Sequence, residues 1–238
     1  MTADRLPLLL AIETSTPAMS VALMEGARLL GTMELRMDKA HARMLIPLAD
    51  SLLRHTDRHR TDLAGVAVSA GPGSYTGLRV GVSAAKGLCM ALGIPLIGIS
   101  SLAGVAAQVH TLARRLDAWI CPMTDARRME VYCTILDCDG QEILPVCAQV
   151  VAEDTFLPWL AQRQILFVGD GVAKCVSLLE AHQGAICLPE VVPAATGIGY
   201  LGAGRLRQGQ YSDLTTFEPE YLKSFATTQP RDLLRPAP

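Results

Sequence analysis

Residues 64–100 read AGVAVSAGPGSYTGLRVGVSAAKGLCMALGIPLIGIS, and the order of the parts decides the fold. Ala64 to Ser69 is a continuous apolar run, as expected of a central parallel strand covered on both faces. GPGSYTG then opens an Ala- and Gly-rich helix that ends near Gly93, where a left-handed cap suits glycine. Pro95 to Ile99 is a second short apolar run. Strand, glycine turn, helix and strand in this order make a parallel crossover unit.

Upstream, Leu8 to Glu13, Met19 to Met24 and Leu29 to Leu35 are three strand-like runs joined by turns, which predicts a meander. From His41 the period changes. Leu45, Leu48 and Leu52 fall on one helical face with Met44 beside them, predicting an amphipathic helix to about Thr56. Ser100 or Ser101 can cap a further helix to about Arg115. The second half repeats the order. Strands are expected at Ala118–Met123, Glu130–Asp137 and Glu142–Val151, with Asp139-Gly140 as a hairpin turn. A helix over 154–162, a strand at 165–168, a helix over 172–182, a strand near 186–188 and a helix over 195–208 follow. The chain therefore reads as βββαβα twice, two α/β domains with a cleft between them, dividing into 1–116 and 117–212. Residues 213–238 turn to Ser, Thr, Pro and Gln, which predicts an extended, frayed tail.

Composition bounds the function. Among 238 residues, 50% are hydrophobic and 18% charged, which excludes a disordered chain. Only 5% are aromatic, so few flat rings are available to stack bases. The formal charge of −2 gives no positive field for tracking phosphates, so any RNA contact must be local or made through another subunit. The densest basic cluster, Arg54, His55, Arg58, His59 and Arg60, is broken by Asp57 and reads as a solvated helix end. Seven cysteines without a CxxC pair read as reduced thiols, mostly buried. Cys133 and Cys138, five apart in a strand-like segment, would face opposite ways, which argues against zinc. LPLLLAI at 6–12 is too short to span a bilayer, and the run from Leu88 to Ile99 is broken by Gly93 and Pro95. A cytoplasmic protein is expected.

Three segments can carry chemistry. ETSTPAMS at 13–20 ends a buried strand with an acid and turns on three hydroxyl residues. Glu13, Thr14 and Ser15 there can hold phosphate and orient a magnesium-bound water, or only satisfy their own turn. In GPGSYTGLRVG at 71–81, Gly71 and Gly73 permit close backbone approach to an anion at a helix start. It is neither a Walker loop nor GxGxxG, because no Lys follows Gly77 and Thr76 replaces the third Gly. Gly77, Gly81 and Ala85 form a side of low bulk, suited to packing on the helix that begins at His41 or to a subunit interface. TDARRMEVY at 124–132 places Asp125 where Glu13 stands in the first half, with Arg127 and Arg128 at the turn. GDG at 169–171 is a similar strand-end turn.

Taken together, AIETSTPAMSVAL, HARMLIPLADSLL, VSAGPGSYTGLRVGVSAAKGLCMALGIPLIGISSL, DARRMEVY, GDG and PEYLK resemble the TsaB family over nearly the whole chain. The resemblance implies a duplicated actin-like (ribonuclease H-like) fold shared with sugar kinases and Hsp70-type ATPases. It also implies a role in forming threonylcarbamoyladenosine in tRNA, beside the longer paralogue TsaD, which acts as the transferase, and the small ATPase TsaE. TsaD carries an HxxxH pair that binds metal, a spacing that puts both rings on one helix face. Ser101 and Val105 stand in those positions here, so the metal site and a metallopeptidase activity are not expected. Glu13 replaces the usual Asp, Met129 a common Gly, and Ser15 stands near a Gly of the actin-like kinases.

The expectation is thus a non-catalytic scaffold that pairs with TsaD through the first-domain helices, using His41, Leu45, Leu48, Leu52, Gly77, Gly81 and Ala85. Alone, the same surface would pair two copies. tRNA would be met only through the complex, and ATP or ADP with magnesium only at the level of the complex. The alternative is an autonomous actin-fold ATPase or small-molecule kinase using Glu13, Thr14, Ser15, Asp125 and the 169–171 turn.

Overall fold

The computed structural model describes residues 6–37 and 40–222. Its first sheet comprises β1 (Leu8–Glu13), β2 (Ala18–Glu25), β3 (Arg28–Arg36), β4 (Leu63–Gly71) and β5 (Leu96–Ser100), in spatial order β3-β2-β1-β4-β5. The second comprises β6 (Trp119–Asp125), β7 (Glu130–Leu136), β8 (Glu142–Val150), β9 (Ile165–Val168) and β10 (Ala185–Leu188). Its order, read from β8, is β8-β7-β6-β9-β10, the first order again. The meander strands are antiparallel and the two added strands parallel in both sheets. One topology is used twice.

The apolar runs explain the layering. Every residue of β1 is buried, and alternate side chains go to opposite faces. Leu8, Leu10 and Ile12 enter one core with Leu45, Ala49, Leu52 and Leu53 of α1 (His41–His55) and Val82, Ala85 and Cys89 of α2 (Tyr75–Leu92). Leu9 and Ala11 enter another with Ala67, Ile97 and Ile198 of α6 (Ala195–Arg207). α2 begins on the hydroxyl of Ser74, which accepts from Gly77 N at 3.2 Å, and ends on left-handed Gly93.

The middle layer departs from simple duplication. α6, expected to complete the second half, lies on the first sheet, while α3 (Ser101–Leu116) lays Val105, Val109 and Ala113 on the second sheet with Ile120 and Leu166. The two helices cross where Gly197 meets the backbone of Gly104, leaving no room for a Cβ. The helices expected over 154–162 and 172–182 shrink to α4 (Leu157–Leu160) and α5 (Val176–Leu179). Short i→i+3 bonds such as Thr155 N to Ala152 O and Cys175 N to Val172 O hold the flanks as turns.

Of the segment 213–238 that composition marks as an extended, frayed tail, the described part, 213–222, is packed down together with Ser212 before it. Ser212 N donates to Leu96 O at 2.8 Å, and Gly98 N to Ser212 Oγ at 3.0 Å, covering the open edge of β5. Lys86 Nζ donates to Thr215 O at 3.2 Å and Phe217 O at 3.1 Å, and Glu220 N to Ala70 O at 2.7 Å. Tyr221 then stacks on Tyr75 at 4.7 Å, while Lys223 and the remaining tail lie outside the described residues. At the far end of α1, Arg58 pairs with Glu25 at 2.7 Å and Arg60 with Asp50, so the basic cluster is a solvated, locally paired helix end. No helix among the described residues is long and apolar enough to cross a membrane.

Candidate functional site

Glu13 closes β1 fully buried, with Ser69 of β4 beside it. Ser15 N donates to Glu13 Oε1 at 2.6 Å, and Thr14 N to Ser69 Oγ at 3.3 Å. Burial pushes the Glu13 carboxyl above its usual range, and the bonds from Ser15 and Ser69 offset only part of that. Glu13 Oε2, Thr14 Oγ1 and Ser15 Oγ are buried without protein partners among the described residues. A neutral carboxyl suits that setting better than a charged one.

The glycine-rich segment closes over this turn. Ser74 N donates to Ser15 O at 2.7 Å, and a Cβ on Gly73 would lie 2.5 Å from that same oxygen. Gly77 runs against Thr14 O and Gly81 against the Thr14 hydroxyl, both closer than any Cβ permits. Gly71 meets Glu220 O of the tail, and His41 donates from Nε2 to Thr16 O at 3.0 Å. Glu13, Thr14, Ser15, Gly71 and Gly73 are thus brought together, yet the chain's own backbone fills the approach. Thr14, Ser15 and Thr16 are all buried, so the site as folded does not fit a phosphate or nucleotide.

Asp125 ends β6, the equivalent strand of the second sheet. It accepts from Arg127 N at 2.8 Å and pairs with the Lys174 ammonium, which also donates to Glu130 O at 2.6 Å. Partial burial pushes Asp125 up, but Lys174 and the Arg127 amide together hold it below the usual carboxylate range. No hydrogen bond or ion pair joins Asp125 to Glu13 among the described residues. Lys174 was invisible in the sequence, because nothing in GVAKC marks a cation that folds back on a strand end 49 residues earlier. Arg127 and Arg128 are exposed, both with left-handed backbone.

Asp170, in the GDG turn, is pushed up to about 6 by burial and by the charge of Asp125. Its folded pKa lies above the ordinary 3.8, so its stabilising contribution is complete below about pH 4 and is lost as pH rises through about 6. Above that, the ionised group costs up to about 3 kcal/mol. Asp170→Asn is therefore expected to raise unfolding stability at pH 8 by about 1–3 kcal/mol, and to leave it unchanged or lower at pH 4. Urea midpoints at both pH values check this, and an equal effect at both would contradict it.

On the helical side, the structure corrects the sequence. Leu45, Leu52, Gly77, Gly81 and Ala85 are buried inside the chain, so the low-bulk stripe of α2 seats the 13–16 turn and not another subunit. His41 and Leu48 stay half-exposed. Half-exposed apolar residues spaced by four are Met44 and Leu48 on α1 and Val80, Ala84, Leu88 and Leu92 on α2. Ser101 and Val105 at the start of α3 are fully buried, and no group of three or more His, Cys, Asp or Glu residues among the described residues is placed to hold a metal.

Two duplicated βββαβα sheets with crossing helices define the actin-like ATPase and sugar-kinase fold. An activator of 2-hydroxyisocaproyl-CoA dehydratase from Clostridium difficile shares it at a TM-score of 0.53 and 12% identity, over 85% of this chain and 97% of that one. YeaZ from Pseudomonas aeruginosa is nearer, with a TM-score of 0.75 and 27% identity over 91% of this chain and all of that one. The family model described as "TsaD: tRNA N6-adenosine threonylcarbamoyltransferase" matches residues 31–182. The Bacillus subtilis "tRNA threonylcarbamoyladenosine biosynthesis protein TsaB" is 29% identical over 222 residues, 90% of this chain and 93% of that protein. The chain belongs to the TsaB family, within the wider family that the TsaD model describes.

Proposed function

We propose that the chain is a non-catalytic scaffold in threonylcarbamoyladenosine formation, pairing with a TsaD-type transferase and working beside a TsaE-type ATPase. The observation that carries this is the closed strand-end site. Glu13 is sealed under Thr14, Ser15 and the glycine-rich segment, and Asp125 is neutralised by Lys174. Glu13 is closed off from a nucleotide, Asp125 is held in an ion pair at the surface, and Ser101 and Val105 supply no metal ligand. The half-exposed apolar side of α1 and α2, with Met44, Leu48, Val80, Ala84 and Leu88, is the surface this reading gives to the partner. A helix pair presenting spaced apolar residues suits a helical bundle with a second subunit. That pairing would organise the transferase for its tRNA adenosine beside the anticodon, with tRNA held through the complex.

Without the transferase, the same face pairs two copies. The two-domain division at 116/117 belongs to this proposal, with α3 and α6 exchanged between the halves.

Co-purification from the native cell tests it: a TsaD-type transferase is expected with the tagged chain, and its absence would remove the scaffold reading. Calorimetric titration with ATP and magnesium at millimolar concentration is expected to give no binding heat for the chain alone. A saturable heat would restore the ATPase or kinase alternative.

A further inference from the structure

Cys133 and Cys147 are Cα partners in the antiparallel β7–β8 register, with sulfurs 4.0 Å apart. Directly opposed antiparallel residues have Cα atoms roughly 4.5–5.5 Å apart, within the span a disulfide bridges. That spacing and the 4.0 Å between the sulfurs are compatible with joining them by side-chain rotation. Cys133 is fully buried and Cys147 half-buried at the outer strand of the sheet. Cys121, on the neighbouring β6, is buried in the same core cluster as Cys133. Bonds from Cys121, and less strongly from Cys147, hold the Cys133 thiol below its usual range against its burial. The three sulfurs are not arranged to hold a metal ion.

We propose that Cys133 and Cys147 form a reversible cross-strand dithiol site that exchanges with small disulfides of the glutathione class. The half-buried Cys147, more accessible than Cys133, acts first, although burial pushes its thiol up to about 11 and only a small thiolate fraction is available to react. The Cys147 thiolate attacks one sulfur of the small disulfide, forming a mixed disulfide and releasing one small thiol. The Cys133 thiolate then attacks the Cys147 sulfur, forming the cross-strand bond and releasing the second small thiol. Two protein thiols lose two electrons and two protons, and the small disulfide takes them up as two thiols. The neighbouring thiols, which hold Cys133 below its usual range, favour the thiolate that the second step needs. The bond ties the edge strand β8 to β7.

Treating the full chain with oxidised glutathione, then counting thiols after denaturation and mapping peptides by mass, tests the site. Of the seven thiols, two are expected to disappear together, linked as Cys133–Cys147 and restored by dithiothreitol. Cys138→Ser should leave this unchanged, because Cys138 sits in the hairpin turn beyond β7. Cys147→Ser should form no protein disulfide, and the wild-type map alone decides if that variant does not fold. A lasting glutathione adduct on Cys147, a link through Cys138, or seven retained thiols would each overturn the proposal.

Discussion

The double substitution Leu48→Asp with Leu88→Asp is expected to weaken association with a TsaD-type transferase at least about 100-fold, since each buried interface anchor is worth about 2 kcal/mol or more. Both residues are half-exposed on the free chain, packed at the margin of the core under α1 and α2. An aspartate there can keep its charge in water until a partner covers it, so the loss falls on association and not on folding. Leu45→Asp and Leu52→Asp make the contrast. Their side chains are 1% and 3% exposed, so the charge would enter the core of the first sheet and unfold the chain. Titration of the folded double variant against the transferase checks this, with a thermal melt as control. Unchanged affinity in a folded variant would remove the α1–α2 face from the proposal.

That choice of residues shows where sequence periodicity stops. The helix over 77–93 holds two stripes at intervals of four, Gly77, Gly81 and Ala85 beside Val80, Ala84 and Leu88. Spacing marks both and cannot say which faces the core. The answer lies in Thr14, a residue 63 positions before Gly77, whose backbone oxygen requires glycine opposite it. The strands were legible because fully buried parallel strands are continuous apolar runs and the hairpins carry turn residues. The exchange of α3 and α6 was not, since an apolar helix face does not say which sheet it covers. Glu13 and Asp125 were found as strand-end acids, but their state depends on Ser69 and Lys174, which only folding brings near. Seven scattered cysteines likewise gave no sign that Cys133 and Cys147 would meet across a hairpin.

Gly77→Ala is expected to destabilise the chain by about 3 kcal/mol, the upper range for inserting a methyl group into a packed site. Its Cβ would press into Thr14 O, closer than real Cβ atoms approach. That oxygen is backbone, and the flanking atoms hold it in place. Thr14 N is bonded to Ser69, Ser15 N to Glu13, and Ser74 N to Ser15 O. The turn cannot retreat without breaking bonds to a buried acid, so α2 must move instead. Gly87→Ala, on the same helix with open space around its Cβ position, is the control, and there alanine should gain about 0.5–1 kcal/mol from helix propensity alone. Urea unfolding of the two variants measures opposite signs if the glycine stripe is an internal seat. Equal small gains would mean that α2 is free to shift away from the 13–16 turn. Because Val80, Ala84 and Leu88 ride on the same helix, any displacement of α2 at Gly77 also displaces the apolar face proposed to meet the transferase. A folded Gly77→Ala chain should therefore bind the transferase more weakly although Gly77 itself is buried from any partner.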